Sequence, residues 1–301
     1  MSLLSGGRAL ENASSAWSCA QTGLLPVCPL KLPFIVAFAA RPEAGASDWE
    51  VRPGFTGGLG ESSLKCLIIA AGMGQRLAER AESKPLLRVG SRPLIDWVIF
   101  SACRAGIREF VVVTGFAADK VESHLRQIAR KEDFSIDCIR NEEWEKENGL
   151  SVFKAREASG DRFILSMSDH IVDPEILKDL MQVALRDDEM VLAADFRVRD
   201  NPLIDIDDVT KVLVNDGKIR RIGKTIKEYN AFDTGLFLCS KAIFSALEQS
   251  QKNGDFSLSG GVKVLAAAGK AGIMDIGNRN WIDVDDPAAL KKAEALVETW
   301  G

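Results

Sequence analysis

From Leu64 onward, short apolar runs alternate with helical stripes, and this alternation constrains the fold more than any other feature of the chain. Leu64-Lys65-Cys66-Leu67-Ile68-Ile69-Ala70 carries no helical stripe and stops at Gly72 and Gly74, so it reads as a buried strand. Ile95, Val98, Ile99 and Ala102 then recur at helical spacing before Gly106, and Glu109 to Thr114 is strand-like again. Ser135–Arg140, Arg162–Met167 and Met190–Phe196 are further strand candidates, separated by helical stretches such as Ile176–Leu185. Such spacing implies right-handed crossovers. It predicts an α/β fold built on a mainly parallel, Rossmann-like sheet with helices on both faces.

The pattern changes at Lys211–Ile219, where two apolar runs flank Asp216-Gly217, a hairpin signal. Leu236–Cys239 and Ile273–Ile276 are shorter strand candidates. Asp286 as N-cap and Pro287 at the first helical position announce a closing helix, with Leu290, Ala293, Val297 and Trp300 on its buried face.

Composition divides the chain. Residues 1–64 hold five of the ten prolines, eight of the 25 glycines and nine charged residues, whereas the other 237 residues hold 72 of the 81 charges. Residues 1–64 therefore read as a disordered N-terminal extension ahead of one domain at 65–301. The most apolar part of the extension, Gly23–Ala40, is broken by Pro26, Pro29 and Pro33 and carries Lys31. Neither membrane insertion nor a signal peptide is expected from it. A net charge of −5 argues against a nucleic-acid-coating surface. Six cysteines without a Cys-x-x-Cys pair, beside only two histidines, argue against a zinc site or a disulfide framework and suggest a reducing, cytoplasmic setting.

In an open parallel sheet, ligands bind beyond the carboxyl ends of the strands. The first strand is followed by Ala70-Ala71-Gly72-Met73-Gly74-Gln75-Arg76-Leu77 and then by Lys84-Pro85-Leu86. Gly72 and Gly74 let the backbone wrap closely round a polyphosphate, and Arg76 and Lys84 supply positive charge. Neither a Walker loop nor a complete Gly-x-Gly-x-x-Gly motif is present. A tight strand-to-helix turn would use the same glycines, so the phosphate reading needs support from elsewhere. Asp169, just after the run Phe163–Ser168, supplies it as a natural oxygen ligand for Mg2+ in the same crevice. Trp281-Ile282-Asp283-Val284-Asp285-Asp286 is a second acidic cluster, in which alternation puts Asp283 and Asp285 on one face. Which of the two meets the metal is left open. His170 reads as a neighbour of the metal rather than a ligand, because Mg2+ prefers oxygen.

Gly72, Gly74, Arg76, Leu77, Lys84-Pro85-Leu86 and Val89-Gly90-Ser91-Arg92-Pro93-Leu94 together resemble the signature of the nucleotidyltransferase superfamily, whose GT-A-like members join a nucleoside monophosphate to a phosphorylated sugar or alcohol. Asn141–Ser151, Ser168-Asp169-His170, Ile222-Gly223-Lys224, Tyr229–Gly235 and Trp281–Asp285 look like the CTP:inositol-1-phosphate cytidylyltransferase group in particular. The resemblance implies Mg2+-dependent transfer of CMP from CTP to inositol 1-phosphate, giving CDP-inositol and pyrophosphate. It implies that Asn148, Gly149 and Ser151 hold the pyrimidine, and that Ala70, Ala71, Gly72 and Gly74 close over base and ribose. Asp169 with Asp283 or Asp285 would hold Mg2+. Lys224, Asp233 and Thr234, on the acceptor side by the hairpin, would meet the phosphorylated polyol, with Asn230 and Asn278 as further partners for its hydroxyls. Arg76, Lys84 and Lys224 are then the catalytic cations. Many members of the group are fused to a membrane-embedded alcohol phosphotransferase, whereas this sequence stops at Gly301, so a functional link to a separate CDP-alcohol phosphotransferase is expected. Choline phosphate or a hexose 1-phosphate as acceptor, and a non-catalytic regulatory module of the same fold, stay open as alternatives.

Overall fold

A computed structural model of the chain describes residues 64–77, 79–199 and 201–300. The expectation of a disordered extension falls, apart from Leu64, outside the described residues. β1 (Lys65–Ala70) leads through the glycine loop and two 3-10 turns, Gln75–Leu77 and Lys84–Leu86, to a small ribbon of β2 (Arg88–Val89) and β3 (Arg92–Pro93). α1 (Leu94–Arg104), β4 (Glu109–Thr114), α2 (Ala118–Ala129), β5 (Ser135–Arg140), α3 (Asn148–Lys154) and β6 (Arg162–Met167) then alternate as the apolar periodicity predicts. β7 (His170–Val172), α4 (Pro174–Gln182) and β8 (Met190–Asp195) follow. The remainder comprises β9 (Lys211–Asn215), β10 (Lys218–Gly223), β11 (Ala231–Ser240), α5 (Ala242–Lys252), α6 (Leu258–Ala267), β12 (Ala271–Asp275), β13 (Trp281–Asp283) and α7 (Pro287–Glu298).

Nine strands form one sheet in the order β5-β4-β1-β6-β11-β8-β12-β10-β9. Pairing is parallel from β5 through β6 and again between β8 and β12. β11 lies antiparallel between β6 and β8, and β10 and β9 close the far edge antiparallel, so the sheet is mixed. Within the hairpin itself β9 and β10, joined by a two-residue turn, run antiparallel, and β9 also pairs antiparallel with the start of β11. Asp216 and Gly217 turn that hairpin with φ of 51 and 68, the positive pair that Asp-Gly favours. α4 stops at Gln182, short of the expected Leu185. Val183 turns extended there, and the Arg162 guanidinium donates to the carbonyls of Met181 and Val183.

Period-two alternation along β1 divides the core. Cys66, Ile68 and Ala70 pack with α1, α2 and α4, whereas Leu67 and Ile69 pack with α3, α5 and α6. A third, smaller cluster joins Leu77, Leu87, Val89, Ile171, Ile282 and Val284 to Leu290, Ala293 and Val297 of α7. As expected, Asp286 caps α7, accepting from the backbone N–H groups of Ala288 (2.7 Å) and Ala289 (2.8 Å).

α3 begins pressed against the segment that leads into α6. Asn148 Oδ1 accepts from the Leu258 N–H at 2.9 Å, and a Cβ on Gly149 would stand 2.6 Å from the carbonyl oxygens of Phe256 and Ser257. Backbone cannot retreat cheaply. Gly149→Ala should therefore lower stability by about 2 kcal/mol in urea denaturation, while Gly72→Ala, whose new methyl group meets nothing within 4 Å, should change it little. Equal midpoints for the two variants would show that the close approach is not tight.

Candidate active site

The third apolar cluster sets the stage for the polar groups. Burial of Ile282 and Val284 in it turns Asp283 and Asp285 to the opposite side, as alternation requires. Leu77 and Leu87 are anchored in the same cluster, one and three residues after Arg76 and Lys84. Beside β7, which pairs antiparallel with β13, Asp169 follows the carboxyl end of β6.

A continuous chain of alternating charges results. Lys84 Nζ lies 2.5 Å from Asp169 Oδ2 and also pairs with Asp285. Asp285 reaches Arg76 at 2.6 Å, Arg76 reaches Asp208 at 2.7 Å, and Asp208 reaches Lys224 at 2.7 Å. At the other end, His170 Nδ1 is 2.8 Å from Asp169 Oδ1, and its Nε2 is 3.7 Å from Asp283 Oδ2. The structure thus brings together Arg76, Lys84, Lys224, Asp169, Asp283 and Asp285. Gly74, with φ +67, lets the Lys84 stem cross the loop: a Cβ there would lie 2.5 Å from Lys84 Cβ.

Burial disfavours the Lys84 ammonium, but Asp169, Asp283 and Asp285 outweigh it and drive its pKa up. Burial also opposes ionisation of Asp169, yet Lys84 and His170 hold its carboxyl well below the usual carboxylate range. His170, likewise opposed by burial, is raised to about 9 by Asp283 and Asp169. Burial pushes Asp283 up, and His170 offsets this only in part. Asp283 Oδ1 is buried without a hydrogen-bond partner. Asp169, His170 and Asp283 offer ligand atoms within 4.8 Å of one another. An orphaned carboxylate oxygen beside a second carboxylate fits a hard divalent cation such as Mg2+. Asp285 is instead turned to Lys84 and Arg76.

Two contributors, Asp195 and Asp208, escape the sequence reading, and a third, Asn141, lies in the Asn141–Ser151 stretch without a role of its own. Asp195, wholly buried at the end of β8, accepts from Arg197, Asn201 and the Trp281 indole N–H (2.9 Å). Trp281 in turn stacks on His170, with centroids 5.9 Å apart and planes 4° from parallel. The position of Asp195 after an apolar run is the signal that singled out Asp169. Asn141, also fully buried, donates to Ser151 Oγ at 3.0 Å. Asp208 lies in an irregular segment with no periodicity to mark it.

The remaining expected residues sit as follows. Ala70 and Ala71 are buried, and the Ala71 carbonyl accepts from the Phe116 N–H at 2.9 Å, beside the edge-on Phe116–Trp144 pair. Gly72 is exposed. Asn148, Gly149 and Ser151 form the first turn of α3, where Asn148 is engaged with Leu258 and Ser151 with Asn141. Asp233 accepts from the Gly235 N–H at 2.8 Å, and burial raises its carboxyl to about 6 although His170 is near. Thr234, expected on the acceptor side, is instead fully buried, its hydroxyl donating to the Ala193 carbonyl at 2.7 Å. It braces β11 against β8 and has no surface left for a ligand. Asn230 spends both amide atoms on the Val214 backbone and so staples the hairpin, whereas Asn278 is exposed in the turn after β12.

A family model described as the MobA-like NTP transferase domain matches residues 66–265. A "Bifunctional IPC transferase and DIPP synthase" from Thermococcus kodakarensis is 33% identical over 235 residues, covering 77% of this chain and 50% of that protein. A protein of the same description from Archaeoglobus fulgidus is 31% identical over 235 residues, covering 78% and 44%. The chain spans about half the length of these curated relatives. Among solved structures, the inositol-1-phosphate CTP transferase from T. maritima superposes with a TM-score of 0.70 at 27% identity, covering 79% of this chain and 96% of that one. A UDP-glucose pyrophosphorylase complexed with UDP-glucose, 17% identical, shares the fold with a TM-score of 0.65 over 80% of this chain and 100% of its own. The match to the family model runs from β1 into α6, through the glycine loop and Asp169, and the chain belongs to the MobA-like NTP transferase domain family.

Proposed function

We propose that the chain transfers CMP from CTP to inositol 1-phosphate, forming CDP-inositol and pyrophosphate. The convergence of Asp169 and Asp283 with Lys84 and Arg76 at the carboxyl ends of parallel strands carries this reading. The names of the relatives and the likeness to an inositol-1-phosphate CTP transferase support the choice of nucleotide and acceptor.

An oxygen of the acceptor phosphate bonds to the α-phosphorus of CTP, in line with the P–O bond that breaks, and the electron pair departs on pyrophosphate. A phosphomonoester with a second pKa of about 6 is mainly dianionic at neutral pH, so the attack needs no protein base. The protein must align two anions and offset the charge on the leaving group. Arg76 and Lys84 meet the phosphates of the nucleotide, and the half-exposed Arg76 guanidinium also faces Lys224 across Asp208. Lys224, exposed after β10, meets the acceptor phosphate. Asp169 and Asp283 would hold Mg2+, which when bound neutralises charge on phosphate oxygens. Asp285 keeps Lys84 and Arg76 in place. The base and ribose are met by Ala70–Gly74 and by the first turn of α3, where backbone and packing surface serve, since Asn148 and Ser151 are already hydrogen-bonded. Asp233, a carboxyl that burial makes reluctant to ionise, suits the hydroxyls of a polyol.

A separate CDP-alcohol phosphotransferase would consume the product, whose activated CMP group a second alcohol can displace. Cys66, Cys103, Cys138 and Cys239 are free thiols, in keeping with a cytoplasmic location. Among the described residues no helix is long and apolar enough to cross a membrane.

Three outcomes are expected. Pyrophosphate release with Mg2+ and CTP should require inositol 1-phosphate in a panel that includes choline phosphate and glucose 1-phosphate. Release with one of the others would replace the acceptor, and silence throughout would favour the non-catalytic module. Arg76→Ala and Lys84→Ala should each lower kcat by about 10²-fold, and full activity in both would remove the loop from the mechanism. The third outcome follows from Asp233, whose folded-state pKa lies above its ordinary value of 3.8. Its contribution to stability is fully present below about pH 4 and is lost as pH rises through about 6. Asp233→Asn, which keeps an acceptor for the Gly235 N–H, should therefore melt higher than the parent at about pH 8, with the gap closing below about pH 4. A gap that widens in acid would reverse the assignment.

A further inference from the structure

Asp208 is a carboxylate of the charge chain that neither the metal reading nor a helix cap employs. It lies between β8 and β9, and its two oxygens are divided between two cations: Oδ2 is 2.7 Å from Arg76 Nη2 and Oδ1 is 2.7 Å from Lys224 Nζ. The two cations come from opposite sides of the crevice, the glycine loop and the end of the hairpin. One anion with an oxygen on each is the arrangement in which a phosphate would bridge them.

We infer that Asp208 is an internal stand-in for the acceptor phosphate, which must exchange for this carboxylate to reach Lys224 and Arg76. The inference rests on the reading of Lys224 as the acceptor-phosphate residue. Two of the other carboxylates have a different means of release. Asp169 and Asp283 lie together where a divalent cation would neutralise them, and Asp285 is shared between Lys84 and Arg76. Asp208 is outside that group, so only an anion arriving between Arg76 and Lys224 can take over its two ion pairs. The exchange makes Asp208 a specificity-determining residue. A phosphorylated acceptor brings enough negative charge to displace it, and a free alcohol does not. In the resting protein the same carboxylate keeps the two cations from repelling each other across the crevice.

The test is a calorimetric titration with inorganic phosphate of the full chain, Asp208→Asn and Asp207→Asn, at fixed Mg2+, followed by steady-state kinetics. Asp207 is exposed, adjacent, and has no place in the site, so its variant controls for the general loss of a negative charge. Asp208→Asn should bind phosphate about fivefold or more tightly, the scale of removing a part-exposed charge at ion-pair distance, while Asp207→Asn stays within about twofold. The KM for inositol 1-phosphate should fall in Asp208→Asn and stay unchanged in Asp207→Asn. Asp208→Ala replaces it if the asparagine variant does not fold. Unchanged or weaker phosphate binding, an equal gain in Asp207→Asn, or a raised KM for inositol 1-phosphate in Asp208→Asn would make Asp208 a fixed brace and overturn the proposal. Absence of turnover by the parent chain would count against the proposed reaction, but the phosphate titration would still decide the role of Asp208.

Discussion

The apolar cluster beneath the charged groups is the constraint on which the crevice depends. Ile282 and Val284 are wholly buried, and Leu77 and Leu87 nearly so. Burying such a side chain contributes about 1.5–3 kcal/mol, whereas a solvent-exposed ion pair contributes about 0–1 kcal/mol. Arg76 is half exposed, so its two pairs cannot fix the loop by themselves. Leucine, isoleucine and valine hold the backbone, and the neighbouring charged residues inherit their directions from it. The ion pairs then refine positions that packing has already chosen.

The alternating order of the charges follows from burial. Lys84 is only 8% exposed, and an ammonium in that position without partners would be strongly unfavourable. Asp169 and Asp285 remove that penalty in the free protein. Ligand binding therefore does not introduce charge into a neutral crevice. In the proposed reaction it would reassign partners among groups already in contact, which would keep the reorganisation small when two anions are brought together.

Most of the strand and helix pattern is legible in the sequence because apolar periodicity is a local property, and β1, β4, β5 and β6 appear where it places them. Strand order is not local. Nothing in Ala231–Ser240 itself says that β11 will lie antiparallel between β6 and β8. The site is legible where a residue ends a strand or follows a glycine turn, as with Asp169 and Arg76. It is hidden where placement depends on a partner far along the chain. Asp208 meets Arg76 and Lys224 through an irregular segment, and Thr234, suggestive by its neighbours, is drawn into the sheet by the Ala193 carbonyl. The choice between Asp283 and Asp285 also needs three dimensions, since alternation puts both on one side and only the surroundings separate them.

The order in which the pieces are synthesised has a consequence for the young polypeptide. The glycine loop leaves the ribosome early, but the helix that completes its apolar footing, α7, is the last element of the described chain. Until that helix arrives, Leu77 and Leu87 lack Leu290, Ala293, Leu296 and Val297 as packing partners, and the acidic strand has only β7 and the loop side of the cluster to settle against. A half-made chain thus presents Arg76 and Lys84 on a loop whose apolar footing is still incomplete.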